Sequence, residues 1–385
     1  TNGSSIRRYR ERIQSRMNTN PAFDCVLWGG YSFGNVGDEI TLAVAIHDMR
    51  ERYQRIAVIS RNPEITQWTF PEIAVIPFQP LPRPERWKIA RKILSKLNLD
   101  QNLAETDFND WVQRHHGQTQ IPWIEVIQRA QTFYLVGGGY LTDLFHINTV
   151  LLPVYLAKNA GVTIRSAPLG IGPFKNPRSA ARVSTGFEGN FLVVRDQGSL
   201  AFCKQNRISA TLREDDGYRV AEVFPGLLQH NGPVKPASKI GVCLFYQDGA
   251  DSSPQAYADW CTRLLKHLAS LYGSEAIEGF CFHTQPSLDF HNLIRVFANA
   301  GLPVRNVVAP FADFRDAVKN LSNYRAIITS RYHAAVVASS LGIPCFAIAS
   351  GEYYATKMKE ALRGENAART VVLETQSPES ITEML

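Results

Sequence analysis

The chain has 385 residues, of which 45% are hydrophobic and 20% are charged, and its formal net charge is +6. At roughly 100–200 residues per domain, this length predicts two domains, and the composition excludes a largely disordered chain. The small positive charge favours anionic ligands such as phosphates and gives no reason to expect a nucleic-acid-binding protein.

The N-terminal segment is polar and basic, which is unlike a secretory signal, and no run of about 18 apolar residues occurs. The six cysteines are widely spaced, several lie in apolar runs, and they form no Cys-x-x-Cys pair. These features predict buried free thiols in a reducing compartment and no metal site. We therefore expect a cytoplasmic protein.

Short apolar runs alternate with helical patterns through the first half of the chain, as in parallel βα units. Helices are predicted after Asp38, over Asp143–Asn159 and over Gln197–Gln205. The predicted buried strands are Asp24–Leu27, Arg55–Ser60, Phe133–Val136, Thr163–Pro168 and Phe191–Val194.

The second half repeats this alternation. Its predicted strands are Ile240–Phe245, Gly279–Phe282, Val304–Val307, Ala326–Thr329 and Cys345–Ala349. Its predicted helices are Tyr257–Leu271, Leu288–Ala300, Phe311–Leu321 and Ala334–Leu341. The chain is therefore predicted to be an α/β protein of two doubly wound, Rossmann-like domains that face a cleft. The Gly- and Pro-containing segment Gln229–Ser238 predicts the linker, which gives domains over residues 1–232 and 233–385.

A stretch at about residues 83–130 interrupts the alternation and predicts a helical insert. Within it, Trp87, Ala90, Ile93, Leu94 and Leu97 form an apolar stripe with basic residues around it. A helix docked on its own domain with a solvated basic face explains this pattern. The alternative is peripheral contact with an anionic membrane or a lipid-linked ligand.

A glycine-rich tract, Gly29–Glu39, follows the first predicted strand and opens a helix. Glycines allow a sharp turn, and a helix N-terminus offers N–H groups to an anion. The tract lacks the G-x-G-x-x-G pattern and the lysine of a P-loop. Asp38 has two readings here, as the helix cap or as a residue that holds or deprotonates a ligand hydroxyl.

Two further signals follow strands of the first half. Gly137-Gly138-Gly139-Tyr140 favours either close approach of the backbone to a ligand or a simple turn, with Asp143 as a helix cap. Arg195 comes directly after a strand, where its guanidinium can grip a carboxylate or phosphate. Asp196 then orients Arg195 or caps the next helix, and a purely structural ion pair is the alternative.

The strongest signal is Ser330-Arg331-Tyr332-His333-Ala334-Ala335, which follows a predicted strand and opens a helix. Arg331 and His333 combine a fixed cation, a proton donor and helix N–H groups. That combination suits an anionic substrate that must be protonated. The alternative is a histidine that only makes local hydrogen bonds.

Taken in order, these motifs resemble the polysaccharide pyruvyl transferase family from about Asp24 to Lys357. The chain departs from the family at Tyr332, where leucine is common, and at Gly351–Lys357, where an Asp-Pro-Lys-like segment is frequent. The matching residues are Gly34, Asn35, Gly37, Asp38 and Glu39, Val136–Tyr140, Gly170–Pro173, Arg195 and Asp196, and Arg331, Tyr332, His333, Gly342 and Pro344.

The resemblance implies an enzyme with an architecture like that of GT-B glycosyltransferases. It implies transfer of the pyruvyl group of phosphoenolpyruvate to a sugar of a polysaccharide or glycolipid as a ketal, with no cofactor or metal. His333 is then the general acid and Asp38 acts on the acceptor. The implied substrate-binding residues are Asn35, Gly37, Gly138, Gly139, Asp143, Arg195, Arg331, Tyr332 and Lys357.

Two rival functions remain open from the sequence. A nucleotide-sugar-dependent glycosyltransferase of the GT-B type has the same predicted architecture, and architecture alone does not settle function. A non-catalytic carbohydrate-binding protein is the second rival, although the presence of Arg195, Arg331 and His333 argues against a lost site.

Overall fold

The computed structural model describes residues 22–79, 121–144, 147–228, 238–246, 251–284 and 288–382. The chain forms two compact units. Unit 1 comprises Thr1–Phe33 and Ala45–Glu214, and unit 2 comprises Gly34–Val44 and Asp215–Leu385. This division differs from the predicted boundary at residue 232 because the turn that begins at Asp215 already packs within unit 2. There, the Tyr218 hydroxyl donates to the carbonyl of Ala361 at 2.6 Å.

Unit 1 contains two parallel sheets, with strand orders β3–β2–β1–β4–β6 and β5–β7–β8–β9. The strands are β1 Phe23–Trp28, β2 Ile56–Ser60, β3 Ala74–Pro77, β4 Ala130–Leu135, β5 Gly138–Leu141, β6 Thr163–Ser166, β7 Leu169–Ile171, β8 Phe191–Val194 and β9 Ser209–Leu212.

The break between β6 and β7 corrects the single strand predicted over Thr163–Pro168. Pro168 has no N–H group with which to continue the ladder, so the strand stops before it and resumes at Leu169. At the break, the Ser166 hydroxyl accepts the Val193 N–H at 2.9 Å. The first domain therefore has two sheets where one was predicted.

The helices of unit 1 cover its sheets and bury an apolar core that includes Trp28, Trp123, Phe133 and Phe187. The helices are α1 Val36–Arg50, which begins in unit 2, α2 Pro63–Thr69, α3 Pro122–Gln128, α4 Ile147–Asn159, α5 Pro177–Phe187 and α6 Gln197–Gln205.

Within the predicted insert, the structure describes only residues 121–130. The predicted apolar stripe at Trp87–Leu97, with its surrounding basic residues, lies outside the described residues.

Unit 2 has one parallel sheet in the order β11–β10–β12–β13–β14, and its core is built on those strands. Its strands are β10 Lys239–Cys243, β11 Ile277–Gly279, β12 Tyr324–Thr329, β13 Cys345–Ala349 and β14 Thr370–Val372. Its helices are α7 Val220–Val223, α8 Pro254–Tyr272, α9 Leu288–Asn299, α10 Phe314–Leu321, α11 Tyr332–Ser340, α12 Gly351–Leu362 and α13 Glu379–Thr382.

One predicted strand of unit 2 is wrong. Val304–Asn306 forms a 3₁₀ turn, and Val307 makes only an isolated bridge to Gly279. The Asn306 side chain donates to the carbonyl of Ser274 at 3.0 Å and holds this turn. The predicted linker over residues 229–238 lies outside the described residues, apart from Ser238.

All six cysteines are buried and unpaired, as predicted. Within the described residues, no helix is both long enough and apolar enough to cross a bilayer.

Candidate active site

The loop Gly34–Asp38, here called the Gly34 loop, belongs to unit 2 and starts α1. Asn35 caps this helix. Its side-chain oxygen accepts the Gly37 N–H, and its backbone carbonyl accepts the N–H groups of Asp38 and Glu39, each at 3.1 Å. The capping role considered for Asp38 is therefore wrong. Asp38 is half-buried in the first turn of α1, and its action on a ligand hydroxyl stays a prediction.

Gly37 packs directly on His333. A Cβ atom at position 37 would lie 2.2 Å from the Cβ, Cγ and Nδ1 atoms of His333, far inside any real contact distance. Only glycine lets the start of α1 and the start of α11 approach this closely. Two motifs that the sequence singled out, the glycine-rich tract and the motif that contains His333, thus meet inside unit 2.

The opposite edge of the His333 ring faces a buried carboxylate. Oδ2 of Asp215 lies 3.7 Å from Nε2 of His333, and the Asp215 side chain is only 1% exposed. The Nε2 atom has no hydrogen-bond partner among the described residues. Asp215 is itself fixed, because its Oδ1 accepts the Gly217 N–H at 2.8 Å. The imidazole is therefore held between the Gly34 loop and the turn at Asp215.

Arg331 is a cation held in one position. Its guanidinium lies over the Phe245 ring, 3.8 Å from the centroid, and forms an ion pair with Asp289. The preceding Ser330 accepts the Phe245 N–H at 2.7 Å, which ties the end of β12 to the segment after β10. A guanidinium has five N–H donors and one carboxylate takes at most two, so Arg331 keeps donors for a ligand. Its charge, however, is already balanced by Asp289.

Tyr332 lies beside His333, and Lys357 lies beside Tyr332. The Tyr332 ring meets the His333 ring edge-on, with centroids 5.1 Å apart. The Lys357 amine, on α12, lies 5.3 Å from the Tyr332 ring centroid. Four of the predicted residues, Arg331, Tyr332, His333 and Lys357, therefore belong to unit 2, at the start of α11 and in the middle of α12.

A second histidine at the Gly34 loop was not predicted. His283 follows β11 and forms an antiparallel bridge with Asn35, while the Thr284 N–H donates to the Gly34 carbonyl at 2.7 Å. The His283 ring is so close that a Cβ on Gly34 would lie 2.7 Å from its Cε1. Its position beyond the carboxyl end of a predicted strand is the sequence signal that points to it.

Asp215 and Asp289 were also missed, since a single carboxylate carries no pattern of its own in the sequence. The described residues contain no group of three or more His, Cys, Asp or Glu side chains placed to hold a metal ion.

Arg195 lies in unit 1, directly after β8. Its side chain is 4% exposed, and Gly170 makes room for it, because a Cβ there would lie 3.0 Å from the guanidinium. Asp196 is 3.9 Å from Nε of Arg195 and also caps α6 by accepting the Ser199 N–H at 2.6 Å. Both structural roles considered for Asp196 are present, and the ligand role of Arg195 stays a prediction.

The glycine turns of unit 1 have a packing explanation. A Cβ on Gly30 would lie 2.9 Å from the Tyr140 ring, and Gly138 adopts a φ of +144° where β5 begins next to Gly139. Asp143 accepts the Asn176 N–H at 2.8 Å and does not cap α4, which starts four residues later at Ile147. Ligand contacts at Gly138, Gly139 and Asp143 stay predictions.

Known proteins resemble this chain at the level of the family and of the fold. The sequence model described as polysaccharide pyruvyl transferase matches residues 35–352. No curated protein matches the sequence significantly. Among solved structures, a Staphylococcus aureus MnaA–UDP complex aligns with a TM-score of 0.52 at 11% identity, over 84% of this chain and 78% of that one.

A UDP-N-acetylglucosamine 2-epimerase from Rickettsia bellii aligns with a TM-score of 0.51 at 10% identity, over 93% of this chain and 87% of that one. At such low identity these likenesses show the fold alone. They confirm the predicted fold, an α/β protein of Rossmann-like units.

Proposed function

The chain belongs to the polysaccharide pyruvyl transferase family, and from that membership we propose that it transfers the pyruvyl group of phosphoenolpyruvate to a sugar as a ketal. The observation that supports this reaction best is the His333 cluster of unit 2. It combines an imidazole wedged between Gly37 and Asp215 with the fixed guanidinium of Arg331. The reaction needs both a proton donor and an anion contact.

In the proposed reaction, His333 protonates C3 of phosphoenolpyruvate, so that C2 becomes electrophilic. A sugar hydroxyl attacks C2, the C2–O bond to phosphate breaks, and a second hydroxyl closes the ketal. One hydroxyl proton replaces the proton that His333 gave to the new methyl group. The other leaves with phosphate, so the protons balance.

The donor carries a carboxylate and a phosphate on one small frame, and such a ligand needs several cationic or N–H contacts. We assign these contacts to Arg331 and Lys357 of unit 2, and Arg195 of unit 1 stays a proposed substrate contact. Because Asp289 and Phe245 hold the Arg331 guanidinium in place, its remaining N–H groups have a fixed direction. Asn35, Gly37, Gly138, Gly139, Tyr332 and Asp143 complete the proposed set of substrate contacts.

The acceptor hydroxyl must lose a proton, and two residues of unit 2 are candidates for that step. Asp38 lies in the first turn of α1, on the same loop that contacts His333. His283 lies against the other end of that loop, at Gly34. We propose Asp38 as the base and keep His283 as its alternative. We further propose that unit 2 serves the donor and unit 1 the acceptor.

The test is incubation with phosphoenolpyruvate and a panel of galactosides and hexosamines, followed by assays of released phosphate and product mass. We expect phosphate release that depends on one of the sugars, together with the mass gain of a pyruvyl ketal on that sugar. Phosphate release without any sugar product, or no release with any sugar, contradicts the proposal.

The donor distinguishes the rival glycosyltransferase function from the pyruvyl transfer that we propose. The MnaA structure was determined with UDP, and under the rival UDP should raise the melting temperature of this protein. Under our proposal phosphoenolpyruvate raises it and UDP does not. Stabilisation by UDP alone favours the rival.

We propose that the protein works in the cytoplasm, because its six cysteines are unpaired and a reducing compartment keeps thiols in that state. A lipid-linked acceptor, with peripheral contact at the membrane, remains the alternative to a free saccharide. Product analysis with both kinds of acceptor distinguishes them.

A further inference from the structure

Arg61 occupies an unusual position in unit 1. It follows β2 directly, and its guanidinium lies over the Trp28 ring at 4.3 Å, near the rings of Phe33 at 5.4 Å and Phe78 at 5.5 Å. Its Nη1 donates to the Gly29 carbonyl at 3.0 Å. Aromatic rings therefore surround a cation at the carboxyl end of a parallel strand, where ligands of α/β proteins bind.

Arg61 has no carboxylate partner among the described residues, unlike the other well-buried arginines of the site regions. Arg331 is paired with Asp289, and Arg195 has Asp196 at 3.9 Å. Burial lowers the pKa of the Arg61 guanidinium, with a small opposing effect from Tyr31 and Tyr140. A partly desolvated cation without a counter-ion is costly to keep, and a ligand anion would offset that cost.

The guanidinium also keeps unused donors. Of its five N–H groups, one binds Gly29, and the described residues provide no acceptor for the other four. The side chain is half-buried, so part of it is open to solvent. Two parallel N–H groups of an arginine fit the two oxygens of a carboxylate or phosphate.

The neighbouring Phe33 is presented by a rigid loop. Ser32 has a φ of +75°, a left-handed conformation that is strained for residues other than glycine. Its buried hydroxyl is held by the hydroxyls of Ser60 at 2.8 Å and Thr66 at 3.1 Å. Phe33 nevertheless remains 56% exposed, whereas Tyr31 and Ser32 are buried. The loop therefore keeps a large apolar ring in water beside a cation that has no carboxylate partner among the described residues.

We propose that Phe33 and Arg61 form an acceptor-binding surface for an anionic sugar, with the Phe33 ring against the sugar's C–H face and Arg61 on its carboxylate or phosphate. An aromatic ring offers a flat apolar surface, and a guanidinium offers bidentate anion recognition. The inference rests on the proposed function in that the ligand is taken to be the acceptor.

The test measures binding without turnover. Wild-type protein is titrated by calorimetry with glucuronic acid, galactose 1-phosphate, galactose, inorganic phosphate and phosphoenolpyruvate, each alone. We expect at least one of the two anionic sugars to bind about tenfold or more tightly than galactose, because a charge-assisted bidentate contact is added. Comparison of the two identifies carboxylate or phosphate as the recognised group.

Variants connect that preference to the two side chains. Arg61→Gln should abolish the preference for the anionic sugar. Phe33→Ala should weaken the binding of the anionic sugar and the binding of galactose by similar factors. Arg50→Gln is the matched control, because Arg50 is an exposed arginine of unit 1 paired with Glu72. Arg61→Lys keeps the charge and should retain part of the preference, which serves if the glutamine variant fails to fold.

Equal binding of all sugars by the wild type, or an unchanged preference in a folded Arg61→Gln or Arg61→Lys protein, overturns the inference. Arg61-dependent binding of inorganic phosphate or phosphoenolpyruvate as tight as that of the sugar also overturns it, since the site would then be a general anion or donor site. These titrations omit the donor when sugars are tested. Intact sugar binding without phosphate release would contradict the proposed reaction alone.

Discussion

Arg331 in unit 2 and Arg61 in unit 1 are held differently, whereas Arg195 of unit 1 resembles Arg331 in having a carboxylate beside it. In unit 2, Arg331 is paired with Asp289 and His333 faces Asp215 at 3.7 Å. In unit 1, Arg61 contacts aromatic rings and a backbone carbonyl, without a carboxylate among the described residues. A paired cation is held in a fixed direction, which suits a reacting group. An unpaired, partly desolvated cation suits the binding of an incoming anion. The contrast suggests that unit 2 carries the chemistry and unit 1 the recognition.

The largest effect is expected from His333→Ala. If His333 is the general acid, this variant should lose about 10²–10⁴-fold in kcat while its melting temperature stays near that of the wild type. The control is His47→Ala, which removes an exposed histidine of α1. Near-wild-type turnover by folded His333→Ala protein would contradict the role of His333 as general acid. It would also contradict the proposal that the reaction takes place in unit 2.

The next effect is expected at Gly37. Gly37→Ala places a methyl group 2.2 Å from the base of the His333 side chain, so the helix or the ring must move. We expect a loss of about 1–3 kcal/mol in the free energy of unfolding, as for overpacked interiors, together with a drop in kcat. Gly226→Ala is the control, because a Cβ there meets nothing within 4 Å. Urea unfolding and steady-state rates of both variants provide the measurement, and equal behaviour of the two contradicts the packing argument.

A smaller effect is expected from Asp215→Asn, because Asp215 acts through His333 and is a positioning residue. Carboxylates that orient metal-binding histidines contribute about 10–100-fold to activity, and we expect kcat to fall by a similar factor here. The KM for phosphoenolpyruvate should stay within about twofold, since the donor contacts are elsewhere, and Asp215→Glu should restore part of the rate.

Asp259→Asn, at an exposed position of α8, is the control for that variant. A rise in KM with unchanged kcat would make Asp215 a contact of the donor and would contradict its role as a positioning residue.

The thiols, which are buried in both units, have the smallest effect near neutral pH. Burial raises the pKa of Cys25 and Cys261 to about 12 and that of Cys203 and Cys243 to about 11, from 9.0. Above pH 9 the unfolded chain loses thiol protons that the folded chain keeps, so the free energy of unfolding should fall as pH rises from 9 to 11.

Urea unfolding at pH 8 and pH 10 measures this change, and a thiol reagent at pH 8 should label native protein much more slowly than unfolded protein. Fast labelling of native protein contradicts the burial of these cysteines.

Much of unit 2 can be predicted from sequence because each strand is a short apolar run between polar turns, and because Arg331 and His333 sit at a helix start. The return of Gly34–Val44 to unit 2 cannot be predicted in this way, since the packing of Gly37 on His333 joins residues almost 300 positions apart.

Local patterns also mislead where tertiary contacts compete with them. The valines of Val304–Val307 favour a strand, but the Asn306 side chain bonds the carbonyls of Ser274 and Ile277 and holds a turn instead. Arg61 directly follows a predicted strand, as Arg195 does, but no neighbouring aspartate marks it in the sequence. Its significance depends on the three aromatic rings around it and on the absence of a carboxylate partner among the described residues. Both are properties of the folded chain.

The most direct test of the proposed chemistry is product analysis after reaction in D₂O with phosphoenolpyruvate and the active sugar. Protonation of C3 by an exchangeable group of the enzyme predicts one deuterium in the methyl group of the ketal, visible by mass spectrometry and NMR. A ketal whose methyl group contains no deuterium would contradict the account.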